Sequence, residues 1–111
     1  MGILNLFIRS DVNAGVKKCR ADPAGILVDV REPEEYSHRR IPGSVNLPLS
    51  ALDMAPTVYP DKDTPLYLYC YSGARSGQAA AALRRMGYTC VSDIGGIKGY
   101  TGATERGLKE K

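Results

Sequence analysis

Apolar residues fall into short runs along this chain, and the stretches between them carry helical spacing or turn chemistry. Ile26-Leu27-Val28-Asp29-Val30 is a continuous apolar run interrupted by one acid, the pattern of a strand buried on both faces of a parallel sheet. Pro65-Leu66-Tyr67-Leu68-Tyr69 is a second such run, Tyr88-Thr89-Cys90-Val91 reads as a central strand, and Val45-Asn46-Leu47 as a short one closed by Pro48. Ser10 or Asp11 can cap a helix running to about Arg20, with Val12, Val16 and Cys19 on one side, and Asp22-Pro23-Ala24-Gly25 stops it. Pro33 suits the first turn of a helix carrying Glu34, Glu35 and Tyr36. Ile41-Pro42-Gly43-Ser44 predicts a turn, Ser50 to Ala55 a brief helix, and Tyr59 to Asp63 a polar loop. The Ala-rich stretch Ser76 to Met86 predicts a helix ended by Gly87. Gly95-Gly96-Ile97-Lys98-Gly99-Tyr100 reads as a further turn before a polar tail.

Strands alternating with helices predict βαβ units, hence an α/β fold of three layers: a mostly parallel central sheet with helices on both faces. Ligands in such sheets bind beyond the carboxyl ends of the strands. Asp29 and Cys70 both end predicted strands and are expected at that shared edge. The 111 residues fit one domain, with a core over about 10–104 and peripheral segments at 1–9 and 105–111.

Composition narrows the functional classes. A net charge of +3 with scattered lysines and arginines gives no basic stripe, which argues against nucleic acid while leaving room for a small anion. The three cysteines, Cys19, Cys70 and Cys90, are odd in number and widely spaced, so they form neither a disulfide framework nor, with the single His38, a metal site. The apolar segment Gly2 to Ile8 is too short to span a bilayer and lacks the flanks of a signal peptide. A soluble protein of a reducing compartment, the cytoplasm, is expected, with no membrane partner and no cofactor.

The most informative stretch is Cys70-Tyr71-Ser72-Gly73-Ala74-Arg75, set between the second buried strand and the Ala-rich helix. A loop there can aim backbone N–H groups and the positive end of a helix at one sulfur atom. A cysteine so held is expected to be a thiolate near neutral pH, and therefore a nucleophile. Lowering a thiol from about 8.5 to about 6.5 takes roughly 2.7 kcal/mol. A helix terminus supplies only about 0.3–1 kcal/mol, so several N–H···S contacts are expected as well.

Four segments in order, Leu27 to Tyr36, Ile41 to Leu49, Cys70 to Ser76 and Gly95-Gly96-Ile97, resemble the single-domain rhodaneses over about Ile26 to Tyr100. The resemblance implies a sulfurtransferase. Cys70 would take a sulfane sulfur from thiosulfate or another persulfide-type donor, become a persulfide, and pass the sulfur to cyanide or a thiol. A protein donor or acceptor is a further option. Tyr71, Ser72, Gly73, Ala74 and Arg75 would form the cradle, with Asp29 and Arg31 as supports. The chain departs from the family at Arg40, where the family has histidine, and at Tyr100, where it often has tryptophan; both bear on partner surface and packing.

The remaining readings are more local. Arg75 either binds the anionic donor or pairs with Asp29 or Glu35 to hold the loop. Asp29 is expected to accept loop N–H groups, and Arg31 to pair with Glu35 or Glu32. Tyr71 walls a pocket or sits as a solvated tip, and Ser72 can donate its hydroxyl to a persulfide. Cys90 is expected in the core, Cys19 has no role, and His38 is a solvated helix end. Two rival functions are a cysteine-dependent phosphatase or arsenate reductase, whose loop has one residue more between cysteine and arginine, and a non-catalytic binding or regulatory module.

Overall fold

The computed structural model describes residues 11–107. The expected peripheral segment 1–9 and the alternative cap Ser10 lie outside the described residues. Asp11 caps α1 (Val12–Ala21) by accepting the N–H of Asn13, and the helix buries Val12, Val16 and Cys19. Then follow β1 (Ile26–Asp29), α2 (Pro33–His38), β2 (Val45–Asn46), a 3₁₀ segment (Leu49–Met54) and α3 (Ala55–Val58). The chain continues through β3 (Leu66–Cys70), α4 (Ala74–Arg85), β4 (Val91–Gly96) and a 3₁₀ turn (Ile97–Gly99).

The strands form one sheet in the order β2-β1-β3-β4, every pair parallel. Because side chains alternate along a strand, each apolar run feeds two cores. Val28, Val30, Leu66, Leu68 and Cys70 pack with Leu52, Ala55 and the Ala79, Ala80 and Leu83 of α4. Leu27, Tyr67 and Tyr69 point the other way and pack with Val12, Val16, Cys19, Ile41, Ile94 and Ile97. This two-sided burial is why β1 and β3 read as unbroken apolar runs, and it produces three layers. The parallel sense of the strands brings the ends of β1 and β3, with Asp29 and Cys70, to one edge.

Four sequence expectations need correction. The fourth strand is Val91–Gly96 and not Tyr88 to Val91. Tyr88 instead packs into the core and donates its hydroxyl to the Tyr59 carbonyl, and the ladder with β3 opens where Leu66 N–H donates to Cys90 O. The edge strand exposes Ser92 and Asp93, so its polar pattern hides it in the sequence. Gly95 and Gly96, expected in a turn, therefore extend the ladder, pairing with Tyr69 and Cys70 after a register shift between Leu68 and Tyr69. Cys90 is consequently exposed rather than in the core. The helix after the Cys70 loop starts at Ala74, ahead of Ser76, because Gly73 makes the turn by itself at φ +106°.

Arg40 faces inward rather than toward a partner. Its guanidinium binds Glu105, the carbonyls of Tyr36 and Gly107, and the face of the Tyr36 ring. With the antiparallel bridge between Arg40 and Glu105, this fastens residues 105–107 to the body, although the sequence suggests a peripheral tail from 105 onward. Tyr100 packs part-buried against the second core.

Candidate active site

Cys70 ends β3 and is 1% exposed, with its side chain on the α4 side of the sheet. The backbone turns over the sulfur, and Gly73 N–H donates to Cys70 Sγ at 3.0 Å. That is a single resolved N–H···S contact where several were expected; the N-terminus of the 12-residue α4, whose first N–H groups have no helical partner, lies immediately beyond. The thiol also meets Ser76, donating to its Oγ at 3.5 Å. Ser76 is fully buried and donates to Asp93 Oδ1 at 2.6 Å, with the Gly73 carbonyl 3.1 Å away. The same carboxylate oxygen receives Gly95 N–H at 3.2 Å. With its proton on Asp93, Ser76 turns a lone pair toward a thiol; rotating the hydroxyl would offer a donor to a sulfur anion.

The floor of the loop is the end of β4. A Cβ on Gly96 would lie 2.0 Å from the Tyr71 carbonyl oxygen and 2.6 Å from Ser72 Cα, so only glycine allows this approach. Lys98 N–H donates to the same Tyr71 oxygen at 3.1 Å. The Gly-Gly pair thus belongs to the site. Its glycines read from the sequence as a turn because the contact they permit is made by a segment more than twenty positions away.

Arg75 grips Glu35 of α2 with both terminal guanidinium nitrogens, at 2.7 and 2.9 Å. The hydrogen bond from Arg75 holds the Glu35 carboxyl at about 2, well below its ordinary value, against the opposing effect of partial burial. The pair's side chains are 34% and 36% exposed, so solvent screening limits the clamp to about 1 kcal/mol or less. A lowered folded-state value stabilises the fold above the unfolded value of about 4.3, and that contribution fades as pH falls from there toward 2. Thermal melts should therefore show a wild-type advantage over Glu35→Gln that is constant above about pH 5 and narrows below about pH 4. Arg75→Ala is expected to lower the melting temperature slightly and to slow transfer from thiosulfate and from a neutral polysulfane alike. A KM effect confined to thiosulfate, with unchanged melting, would instead make Arg75 a donor ligand.

Asp29 and Arg31 form a buried pair. Arg31 N–H, Nε and Nη2 all donate to the Asp29 carboxylate, at 2.7 to 3.1 Å, and Nη2 also reaches the Arg39 carbonyl. Arg31 thus pairs with Asp29 and not with Glu32 or Glu35. Burial opposes the Arg31 charge, but the Asp29 hydrogen bonds and charge outweigh it and raise its pKa above the ordinary value. Asn46 donates to the carbonyls of Asp29 and Arg31, fixing the loop after β1. Tyr71 is 51% exposed at the loop tip, and Ser72 is exposed. Of the two partners that the sequence offers Arg75, the structure selects Glu35 over Asp29. Sequence reading passed over Ser76 and Asp93; the serine's place directly after Arg75, in the first turn of a helix, was the available signal.

A family model described as "Rhodanese-like domain" matches residues 10–103. The chain belongs to the rhodanese-like domain family. It is 42% identical over 72 residues to the thiosulfate sulfurtransferase PspE of Escherichia coli strain K12, covering 64% of this chain and 69% of that one. Among solved structures, a rhodanese with anions from E. coli superposes with a TM-score of 0.69 at 38% identity, over 76% of this chain and all of that one. The human single-domain sulfurtransferase TSTD1 gives a TM-score of 0.68 at 28% identity, over 78% and 88% of the two chains. This likeness in sequence and fold makes the chain a sulfurtransferase of the rhodanese type. Among the described residues no helix is long and apolar enough to cross a membrane, and no group of acidic, histidine and cysteine side chains could hold a metal ion.

Proposed function

We propose that this rhodanese domain, a single unit spanning the chain, carries sulfane sulfur on Cys70. The Cys70 thiolate attacks the outer sulfur of thiosulfate, the S–S bond of the donor breaks, and sulfite leaves with the bonding pair. Cys70 then holds a persulfide. Cyanide or a thiolate attacks the terminal sulfur in turn, forming thiocyanate or a new persulfide, and the pair of the broken S–S bond returns to Cys70. Tyr71 to Arg75 form the cradle; Gly73 N–H donates to the sulfur, and the Ser76 hydroxyl, which accepts from the thiol and donates to Asp93, would become a second donor to the sulfur anion on rotating. Asp29 and Arg31 act as supports that hold the neighbouring loop.

The observation that carries this reading is Cys70 Sγ at the mouth of a strand–loop–helix turn, capped by one backbone donor and floored by Gly96. Arg75 supports sulfur over phosphoryl transfer. A phosphatase needs its loop arginine free to clasp a tetrahedral oxyanion, whereas here it is held by Glu35. The unpaired cysteines suit a reducing compartment such as the cytoplasm. Mass spectrometry of the intact protein tests the proposal: thiosulfate should add one sulfur atom, located on the peptide containing Cys70, and cyanide should remove it. A protein that gains no sulfur from thiosulfate, polysulfide or a persulfide would refute it.

A further inference from the structure

A cleft of about 360 Å³ opens beside the Cys70 loop, lined by Arg31, His38, Arg39, Tyr71, Ile97 and Lys98. It contains three cationic side chains and an imidazole but no carboxylate. Arg31 is balanced by Asp29 underneath. Arg39 and Lys98 are exposed and form no ion pair among the described residues. Arg39 makes one side-chain hydrogen bond there, a long one of 3.4 Å from Nη2 to the Ile97 carbonyl, which leaves most of its donors for a ligand. The Lys98 ammonium stands 5.9 Å over the Tyr71 ring while its backbone holds the Tyr71 carbonyl, so cleft and loop are mechanically joined. A second cleft, between α1 and β4, mixes Asp11 and Asp93 with Lys18 and has no such bias.

The cleft meets the loop through Tyr71 alone; Cys70, Ser72 and Arg75 do not line it. Thiosulfate is too compact to use it, since its sulfonate sits one S–S bond from the sulfur it gives up and must stay at the loop mouth. A molecule reaching both Cys70 and the cleft extends past Tyr71 and carries its negative charge away from its reacting atom. We propose that Arg39, Lys98 and His38 bind the carboxylates of an anionic thiol, the acceptor of the Cys70 sulfur. This rests on the sulfur-carrier role of Cys70. The acceptor thiol attacks the outer sulfur of Cys70–S–S⁻, a new S–S bond forms on the acceptor, the Cys70 S–S bond breaks toward Cys70, and the acceptor's proton ends on Cys70.

Two thiols separate charge from reactivity: N-(3-mercaptopropanoyl)aspartate, whose two carboxylates lie beyond an amide spacer from the thiol, and uncharged 2-mercaptoethanol, each used to discharge protein charged with thiosulfate. In the Arg39→Gln/Lys98→Gln variant, KM for the mercaptopropanoyl-aspartate should rise about three- to tenfold, with 2-mercaptoethanol and the KM for thiosulfate unchanged. Lys98→Glu should lower the mercaptopropanoyl-aspartate rate further, and added salt should erase the wild-type preference for the dianion. Succinate, which has no thiol, should bind wild-type protein and bind the double variant more weakly by calorimetric titration, a readout independent of sulfur transfer. Equal losses for both thiols, a rise confined to thiosulfate, or no succinate binding by the wild type would each overturn the assignment. Succinate binding without sulfur loading would leave the cleft standing and remove the function proposed for Cys70.

Discussion

Cys70→Ser is expected to abolish transfer of sulfur from thiosulfate to cyanide, a loss of about 10⁴-fold or more, while Cys19→Ser and Cys90→Ser keep most of the activity. The serine hydroxyl is far less acidic than a thiol and forms no stable sulfane carrier, so no compensating route opens. The other two cysteines lie in unsuitable places. Cys19 is buried against the opposite face of the sheet, where burial, reinforced by Asp22, pushes its thiol up. Cys90 precedes β4, and because the strands are parallel it sits at the amino edge of the sheet, about 17 Å of strand from the Cys70 edge. Steady-state thiocyanate formation by the three variants checks this. Because Cys90 is exposed, thiol labelling of Cys70 is best followed in the Cys90→Ser background. Ordinary turnover by Cys70→Ser would end the assignment.

The second large effect is expected at a residue with no side chain. Gly96→Ala would set a Cβ 2.0 Å from the Tyr71 carbonyl oxygen and 2.5 Å from its carbonyl carbon. Both are backbone atoms of the sulfur-binding loop, so relief requires β4 or the loop itself to move. Overpacking of this kind costs about 1–3 kcal/mol, a drop of roughly 5–20 °C in melting temperature for a domain of this size. Displacing the loop by about 1 Å should cost sulfur transfer about a hundredfold even where the protein stays folded. Gly43→Ala provides the contrast. Gly43 also has positive φ, at +87°, but nothing lies within 4 Å of its Cβ position, so a loss of about 1 kcal/mol with activity retained is expected there. Comparable activity losses in the two variants would show that the Gly96 contact does not position the loop.

The two central strands were legible because burial on both faces leaves no room for polar alternation: Leu27, Tyr67 and Tyr69 serve one core, Val28, Leu66 and Leu68 the other. α1 was legible from the spacing of Val12, Val16 and Cys19 and from its Asp11 cap. β4 was not, because polar Ser92 and Asp93, exposed at consecutive positions, break the apolar run before Ile94. That miss moved Cys90 into a core it does not enter and turned Gly96 into a bend.

Local pattern by itself determined the parallel α/β architecture, the shared edge of Asp29 and Cys70, and the strand–loop–helix setting of the cysteine, since each depends on residues close together in the chain. The pairing of charges was decided only by the tertiary structure. Arg75 reaches Glu35 across forty positions, Ser76 reaches Asp93 across seventeen, and Arg40 reaches Glu105 across sixty-five, while Arg31 turns to its near neighbour Asp29 instead of an acid on α2. A long charged side chain has several acids within reach of its own segment, and nothing in the sequence ranks them. Their order is settled by which backbone segments the sheet brings together and which carboxylates it withdraws from water.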